Sequence, residues 1–367
     1  MKKPKLLCIL HRSPPAHGAA KVGDFISKSK KLNEEYDCRF ITIKSSDTIG
    51  DIGKINLKKF YLVAELYLKV LWALLIFRPD KLYFTASVRG VALYRDILVS
   101  TLWKAYRFFT PLDIYYHYHT KGIDKFVSLL SHNLKLTNFF VKGVNIVLLS
   151  PLLQNDLKQL DGYKSIVFLP NGVENNYTEE EFENYISIKK FNDLNILYLS
   201  NMIKSKGYFE VLKLAKSNKE KNYNFHFAGG WQNSEDEKEF LEYIKFNSLE
   251  EVVTFHGFVN GKQKKELFEG TSLFIFPTRY DNEAFPLSIL EAFSYGLPVL
   301  STDEASIPFI IDDKSGIIVD DLSKLEKSFD ELTEKFINIE TARYCRQRYL
   351  NNFSLEQFEE NLVKVFR

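Results

Sequence analysis

Asn282-Glu-Ala-Phe-Pro-Leu-Ser-Ile-Leu-Glu-Ala-Phe-Ser-Tyr-Gly-Leu-Pro-Val-Leu300 reads as a loop, a short helix and a buried strand, with two glutamates, Glu283 and Glu291, eight residues apart. Pro286 suits the first helical turn, where its missing N–H costs nothing. Gly296 and Pro298 stop the helix before Val299-Leu300. The start of such a helix offers free backbone N–H groups and a partial positive charge, which suit a phosphate. Glu283 stands just before that start and Glu291 inside the helix, so the two carboxylates can face polar groups about 10 Å apart. Two solvated glutamates on an amphipathic helix would show the same spacing. Glu291, however, lies among Ile289, Leu290, Ala292 and Phe293, where an unpaired carboxylate is costly.

Working outward, short apolar stretches alternate with helical patterns along the whole chain. Strands are expected at Lys5–Leu10, Arg39–Ile43, Lys81–Phe84, Asp113–Tyr118, Asn145–Leu149 and Ser165–Leu169, with helices near 20–34, 56–77, 89–108, 122–138 and 150–160. The polar, acidic stretch Asn175–Asn192 breaks the rhythm and reads as a linker. Strands then resume at Asn195–Leu199, Tyr223–Ala228, Val252–Phe255, Leu273–Phe276, Pro298–Ser301 and Gly316–Val319. This rhythm implies an α/β protein with two tandem Rossmann-like parallel sheets. The last helix opens with Ser354-Leu-Glu-Gln357, a capping-box pattern.

The 367 residues suggest two domains, and 45% hydrophobic with 26% charged residues is a globular composition. Cys8, Cys38 and Cys345 lie far apart without metal-like spacing, which fits a reduced, cytoplasmic setting. Leu6–Leu10 is too short for a signal peptide, and Leu66–Phe77, interrupted by Lys69, is expected to fall short of a membrane span. Net charge is uneven. Residues 1–172 hold 26 basic and 13 acidic side chains (+13), leaving 23 basic and 34 acidic (−11) in the rest. A basic first half could attract an anionic substrate or an anionic membrane surface. Nucleic acid is disfavoured, since no reading motif accompanies the charge.

Leu273-Phe-Ile-Phe-Pro-Thr278, Glu283-Ala-Phe-Pro-Leu287, Glu291-Ala and Gly296-Leu-Pro-Val-Leu-Ser-Thr302, in this order, resemble the donor-site signature of the retaining GT-B glycosyltransferases of family 4, the glycosyl transferases group 1. The resemblance implies a GT-B fold with a cleft between its domains and a C-terminal helix crossing back to the first domain. The expected division is an acceptor-binding domain over 1–172 with about 353–367 packed on it, a linker over 173–192, and a donor-binding domain over 193–352.

Further motifs stand where open parallel sheets bind ligands, beyond the carboxyl ends of strands. Ser200-Asn-Met-Ile-Lys-Ser-Lys206-Gly207 leads from a strand into a helix, and Lys206 beside Gly207 can hold a diphosphate. Asn201 stands where the family has an arginine, and Arg279 is the candidate replacement. Pro170-Asn-Gly-Val-Glu174 resembles the family's hinge segment and reads equally as an ordinary Asn-Gly turn. Ala228-Gly-Gly230 is a close-approach loop of the type found beside the donor base, which gives Gly229 its place. The loop Leu10–Ala20 brings Gly18, Arg12 and His17 to the site or is a plain Pro-rich turn; Ala19 replaces the usual second glycine. Ala305-Ser-Ile-Pro-Phe309 lacks the family's acidic residue at Phe309.

His117 and His119 share one strand face, where a metal site is conceivable, but no third ligand accompanies them. The resemblance implies no metal, and gives His119 a place near the transferred sugar with His117 structural. It further implies Glu283 on the hydroxyls of the sugar, Glu291 on the ribose, and Lys206 with backbone N–H groups from Phe285 through Pro286 and Leu287 to Ser288 around the departing diphosphate. His119, Glu283 and Lys206 are thus the expected catalytic set, and Gly18, Asn201, Gly207, Gly229 and Arg279 complete the donor site. The expected reaction is hexosyl transfer, with retention, from a nucleoside diphosphate sugar to a hydroxyl of a glycan or polyprenyl-diphosphate-linked acceptor. The expected setting is bacterial surface-polysaccharide assembly (O-antigen, capsule or exopolysaccharide), in the cytoplasm or peripheral at the inner face of the plasma membrane. The rivals are a GT-B nucleotide-sugar epimerase, and a catalytically silent subunit that binds a sugar nucleotide.

Overall fold

A computed structural model describes residues 3–14, 18–44, 57–189 and 194–367. The first sheet contains β1 (Lys5–Leu10), β2 (Asp37–Thr42), β3 (Lys81–Ala86), β4 (Asp113–Tyr118), β5 (Asn145–Leu148) and β6 (Ser165–Phe168), in the order β2-β1-β3-β4-β5-β6. The second contains β7 (Leu194–Leu199), β8 (Tyr223–Ala228), β9 (Val253–Phe255), β10 (Leu273–Phe276), β11 (Val299–Thr302) and β12 (Gly316–Val319), in the order β12-β11-β10-β7-β8-β9. All pairings between these strands are parallel. Each expected strand is present, with ends shifted by at most two residues. The central strands are legible because helices cover both faces: Leu6–Leu10 and Leu273–Phe276 are apolar and buried throughout.

Two compact units contain the sheets: residues 1–171 with 355–367, and residues 172–354. The first unit takes in the terminal helix Leu355–Val365. Phe366 is buried with its ring edge-on to Tyr36, Tyr83 and Tyr115, at centroid distances of 5.8, 5.8 and 5.1 Å. Lys31 binds Glu360 at 2.8 Å on the same side.

The helices depart from expectation in five places. The stretch 20–34 divides into Gly18–Lys28 and Lys30–Glu35, because buried Ser29 leaves helical geometry and caps Leu32. The stretch 122–138 becomes Ile123–Leu129 and Ser131–Val141, and 150–160 becomes a 3-10 helix over Pro151–Leu157. The segment read as a linker carries the helix Glu179–Ile188, closed by a capping box between Thr178 and Glu181 and buried through Phe182 and Ile186; residues 190–193 of it lie outside the described residues. Finally, Leu57–Trp72 runs into a π-turn, Ala73–Phe77, so that Phe60–Phe77 forms an 18-residue helical stretch of mean hydropathy 1.9, with Glu65 and Lys69 as its charged residues. The sequence reading of a segment too short to span a bilayer is corrected: the helix is long and apolar enough by length and composition.

Phe366→Ala should destabilise the first unit by about 3–5 kcal/mol, since it empties an aromatic pocket. Urea unfolding followed by circular dichroism should show an earlier transition for that unit and an unchanged one for the second.

Candidate functional site

The second unit brings the end of β7 and the end of β10 side by side. After β7 the chain makes a tight turn over Lys204–Lys206, and Gly207 (φ 87°) starts the helix Tyr208–Ser217. A Cβ on Gly207 would meet the Pro277 carbonyl oxygen at 2.3 Å, and one on Gly229 would meet the Ser200 oxygen at 1.7 Å. Both glycines therefore let neighbouring strand ends approach closely, which accounts for them without a ligand. Asn201 is exposed and its carbonyl accepts from the Ile203 N–H.

That close approach delivers Lys206 to Glu283. The ammonium is 3.2 Å from Glu283 Oε2, and both side chains are largely shielded from water. Glu283 is only 9% exposed, and no hydrogen bond in good geometry reaches its Oε2. Lys206 also lies over the rings of Tyr280 and Phe276, at 5.2 and 5.7 Å. These two rings were missed in the sequence because they read as strand core and loop. Buried Tyr198, at the end of β7, is a further neighbour: burial, and then the negative charge of Glu283, push its phenol well above its usual range.

The helix expected after Glu283 is present as Leu287–Ser294. Pro286 is its extended N-cap residue (φ −69°, ψ 115°) and stands before the first turn, a correction of one position; no side chain caps this end. The first N–H groups, from Leu287 and Ser288, accordingly have no intrahelical acceptor. Phe285 is buried against Phe309 and Phe353, at 6.3 and 6.0 Å. Phe309, where the acidic residue is missing, thus supports the loop by packing. The far end of the helix is tied down by Arg346, a buried arginine that donates to the Ser294 and Tyr177 carbonyls at 3.0 and 2.9 Å.

Glu291 is paired. Its Oε2 accepts from Lys264 at 2.6 Å, on the helix Gly261–Glu269. Lys264 was not anticipated, because Gly261-Lys-Gln-Lys-Lys-Glu266 reads as a solvated face. The Arg279 guanidinium is held by Asp303 and the Asp320 carbonyl.

In the first unit, His117 is fully buried at the end of β4, with Nδ1 hydrogen-bonded to the Tyr83 hydroxyl. Its ring lies 4.0 Å from that of half-buried His119. Burial, and then the charge of His119, hold His117 well below the usual imidazole range, so it is neutral. Among the described residues, no group of three or more His, Cys, Asp or Glu side chains is placed to hold a metal ion. Gly18 opens its helix, where an added Cβ would meet nothing; Gly23 instead takes the close contact, 1.9 Å from the His11 carbonyl oxygen. Arg12 donates to Thr42 Oγ1 at 2.8 Å. His17 lies outside the described residues.

Two expectations follow from these charges. An unfolded chain takes up a proton at His117 below about pH 6.5, and the folded one does not. Stability is therefore full above that pH and falls as pH is lowered, by at most about 1.4 kcal/mol per pH unit for this group. The His226–His256 pair, also lowered by burial, acts in the same sense in the second unit. His117→Gln should remove one proton from the slope of the first unit's unfolding free energy between pH 6.5 and 5, and leave the second unit's slope alone. For the second pair, a double-mutant cycle of Lys264→Ala with Glu291→Gln should give a coupling of about 1 kcal/mol by urea unfolding.

Residues 180–349 match the family model of glycosyl transferases group 1. A 41.2 kDa protein in the cps region of Klebsiella pneumoniae is 29% identical over 190 residues, 49% of this chain and 50% of that protein. The putative colanic acid biosynthesis glycosyltransferase WcaL of Escherichia coli K12 is 27% identical over 189 residues, 47% of this chain and 45% of WcaL. The chain thus spans about half the length of the curated relatives it matches. Among solved structures, HepE of Anabaena in complex with UDP-glucose superposes with a TM-score of 0.70 at 15% identity, over 98% of this chain and 99% of HepE. The chain has the GT-B fold, and its second unit carries the region that matches the glycosyl transferases group 1.

Proposed function

We propose that this chain is a retaining glycosyltransferase that moves a hexose from a nucleoside diphosphate sugar to a hydroxyl of a glycan or lipid-linked acceptor in bacterial surface-polysaccharide assembly. The observation that carries the reading is the shielded Lys206–Glu283 pair beside an uncapped helix start. Without a donor, the ammonium and the carboxylate neutralise one another. An arriving diphosphate offers Lys206 a stronger partner, and the N–H groups of Leu287 and Ser288 take further phosphate oxygens. Glu283 is then released to accept hydrogen bonds from hydroxyls of the sugar, for which its Oε2 has acceptor capacity to spare. Glu291, set by Lys264, serves the ribose. His119 is assigned to the transferred sugar, and Gly18 to the donor.

In the reaction, the bond from the anomeric carbon to the diphosphate oxygen breaks as charge builds on the phosphate. Lys206 and the helix N–H groups stabilise that charge, the largest catalytic contribution expected. The acceptor hydroxyl attacks on the same face and its proton passes to the departing phosphate, so configuration is retained. In this reading no metal is needed to hold the diphosphate. The cps-region and colanic acid relatives support a role in polysaccharide assembly. The HepE complex supports a nucleotide-sugar donor and makes UDP-glucose the first to test.

The chain should hydrolyse or transfer from one member of a nucleotide-sugar panel, with product of unchanged anomeric configuration by NMR. Lys206→Ala and Glu283→Ala should each lower turnover by about 100-fold or more with unchanged circular dichroism. Wild-type turnover by both variants, or a panel in which no donor is bound or consumed, would overturn the assignment.

A further inference from the structure

Two helices of the first unit turn apolar side chains toward water. On Leu57–Trp72 and its π-turn, Leu66, Val70, Ala73 and Leu74 are buried, while Tyr61, Leu68, Trp72, Leu75 and Ile76 are exposed at intervals of one or two helical turns. Only 22% of the stretch Phe60–Phe77 is buried. On Gly90–Tyr106 the outward stripe is Val91, Tyr94 and Leu98, and just beyond its end Phe108 and Phe109 are 87% and 88% exposed. These helices are neighbours. Each follows a rightward step in the strand order, from β2 to β3 and from β3 to β4, so right-handed crossovers set both on one face of the sheet.

Charge accompanies this face. Residues 57–111 hold nine Lys and Arg against three Asp and Glu, 9 − 3 = +6. Of the three acids, Asp96 is buried against Arg95, and Glu65 is spent on Lys44 and Lys69. Beside Phe108 and Phe109, Lys104 donates to the Lys142 carbonyl and lies 5.0 Å over Phe139, and Arg107 donates to the Gly143 carbonyl. Burial, and then the charges of Arg107 and Lys142, push the Lys104 ammonium down to about 8. A groove of about 540 Å³ runs between edge strand β2 and the first helix, lined by Phe40, Ile41, Leu68, Leu71, Trp72 and Leu75.

We infer that the outer face of the helices Leu57–Trp72 and Gly90–Tyr106, rimmed by Phe108 and Phe109, docks in the plane of an anionic lipid bilayer. Aromatic side chains enter the headgroup layer, and the surrounding Lys and Arg meet lipid phosphates. The face lies on the bilayer and does not cross it. The inward side chains of the first helix are buried in the unit, and β2 and β3 at its two ends both pair with β1. A second copy of the chain is a poorer occupant, because it would set two segments of net positive charge against each other.

The test needs no catalytic activity, so it stands apart from the glycosyltransferase reading. The full chain should co-sediment with phosphatidylglycerol-containing vesicles at low salt, more weakly at high salt, and not with pure phosphatidylcholine. Trp72 emission should shift to the blue on binding. Phe108→Ser with Phe109→Ser, and separately Trp72→Ser, should weaken vesicle binding by about tenfold. Phe246→Ser, an equally exposed aromatic of the second unit, should leave it unchanged. The inference is overturned by absence of binding to anionic vesicles at low salt, by equal binding of face and control variants, or by a solution dimer that these face variants dissociate.

Discussion

A parallel strand can be followed by a parallel neighbour only after the chain has crossed back to the starting edge. Among the described residues twelve strands obey that constraint, so in each sheet every strand ends at the same edge. Residues far apart in sequence become neighbours there by geometry alone. Lys206 follows β7 and Glu283 follows β10, and β7 and β10 are hydrogen-bonded to one another. The ion pair needs no special device beyond two glycines that let the strand ends close up. Everything that supports it is ordinary packing: Tyr280 and Phe276 beside the lysine, Phe285 with Phe309 and Phe353 under the loop, and Arg346 at the far end of the helix.

The two glutamates meet the cost of leaving water differently. Glu291 has a dedicated lysine at hydrogen-bond distance, and the pair is locally complete. Glu283 has its lysine at a looser 3.2 Å with one oxygen lacking a hydrogen bond. A shielded acceptor left in that condition carries a standing desolvation cost. Under the proposed reading, that acceptor is the one a hydroxyl of the donor sugar would satisfy.

The sequence displayed the strands because β1 and β10 are apolar on both faces, displayed Lys206 because it stands beside Gly207, and displayed Glu283 and Glu291 through their eight-residue spacing around Pro286. It hid what depends on tertiary neighbours. Lys264 lies on a helix that looks solvated until that helix packs beside Glu291. The helix Glu179–Ile188 was concealed by acidic composition, although Thr178 and Glu181 stood in the sequence at capping-box spacing. The long apolar helix was underestimated because Lys69 interrupts the apolar run read from Leu66; Glu65 is the partner of that lysine. One turn apart, they form an ion pair and leave the rest of the surface apolar. Phe309 looked like a lost acid and is in fact a packing residue.

The terminal helix gives the order of assembly a direction. The cavity that Phe366 fills is walled by Tyr36, Tyr83 and Tyr115, all made early in synthesis, and the plug follows only after the whole of the second unit. On the ribosome, where domains form in the order in which they emerge, the first unit must wait with that aromatic pocket open. The second can close while its predecessor is still incomplete. Of the two units, the one whose translation starts earlier is therefore the one completed later.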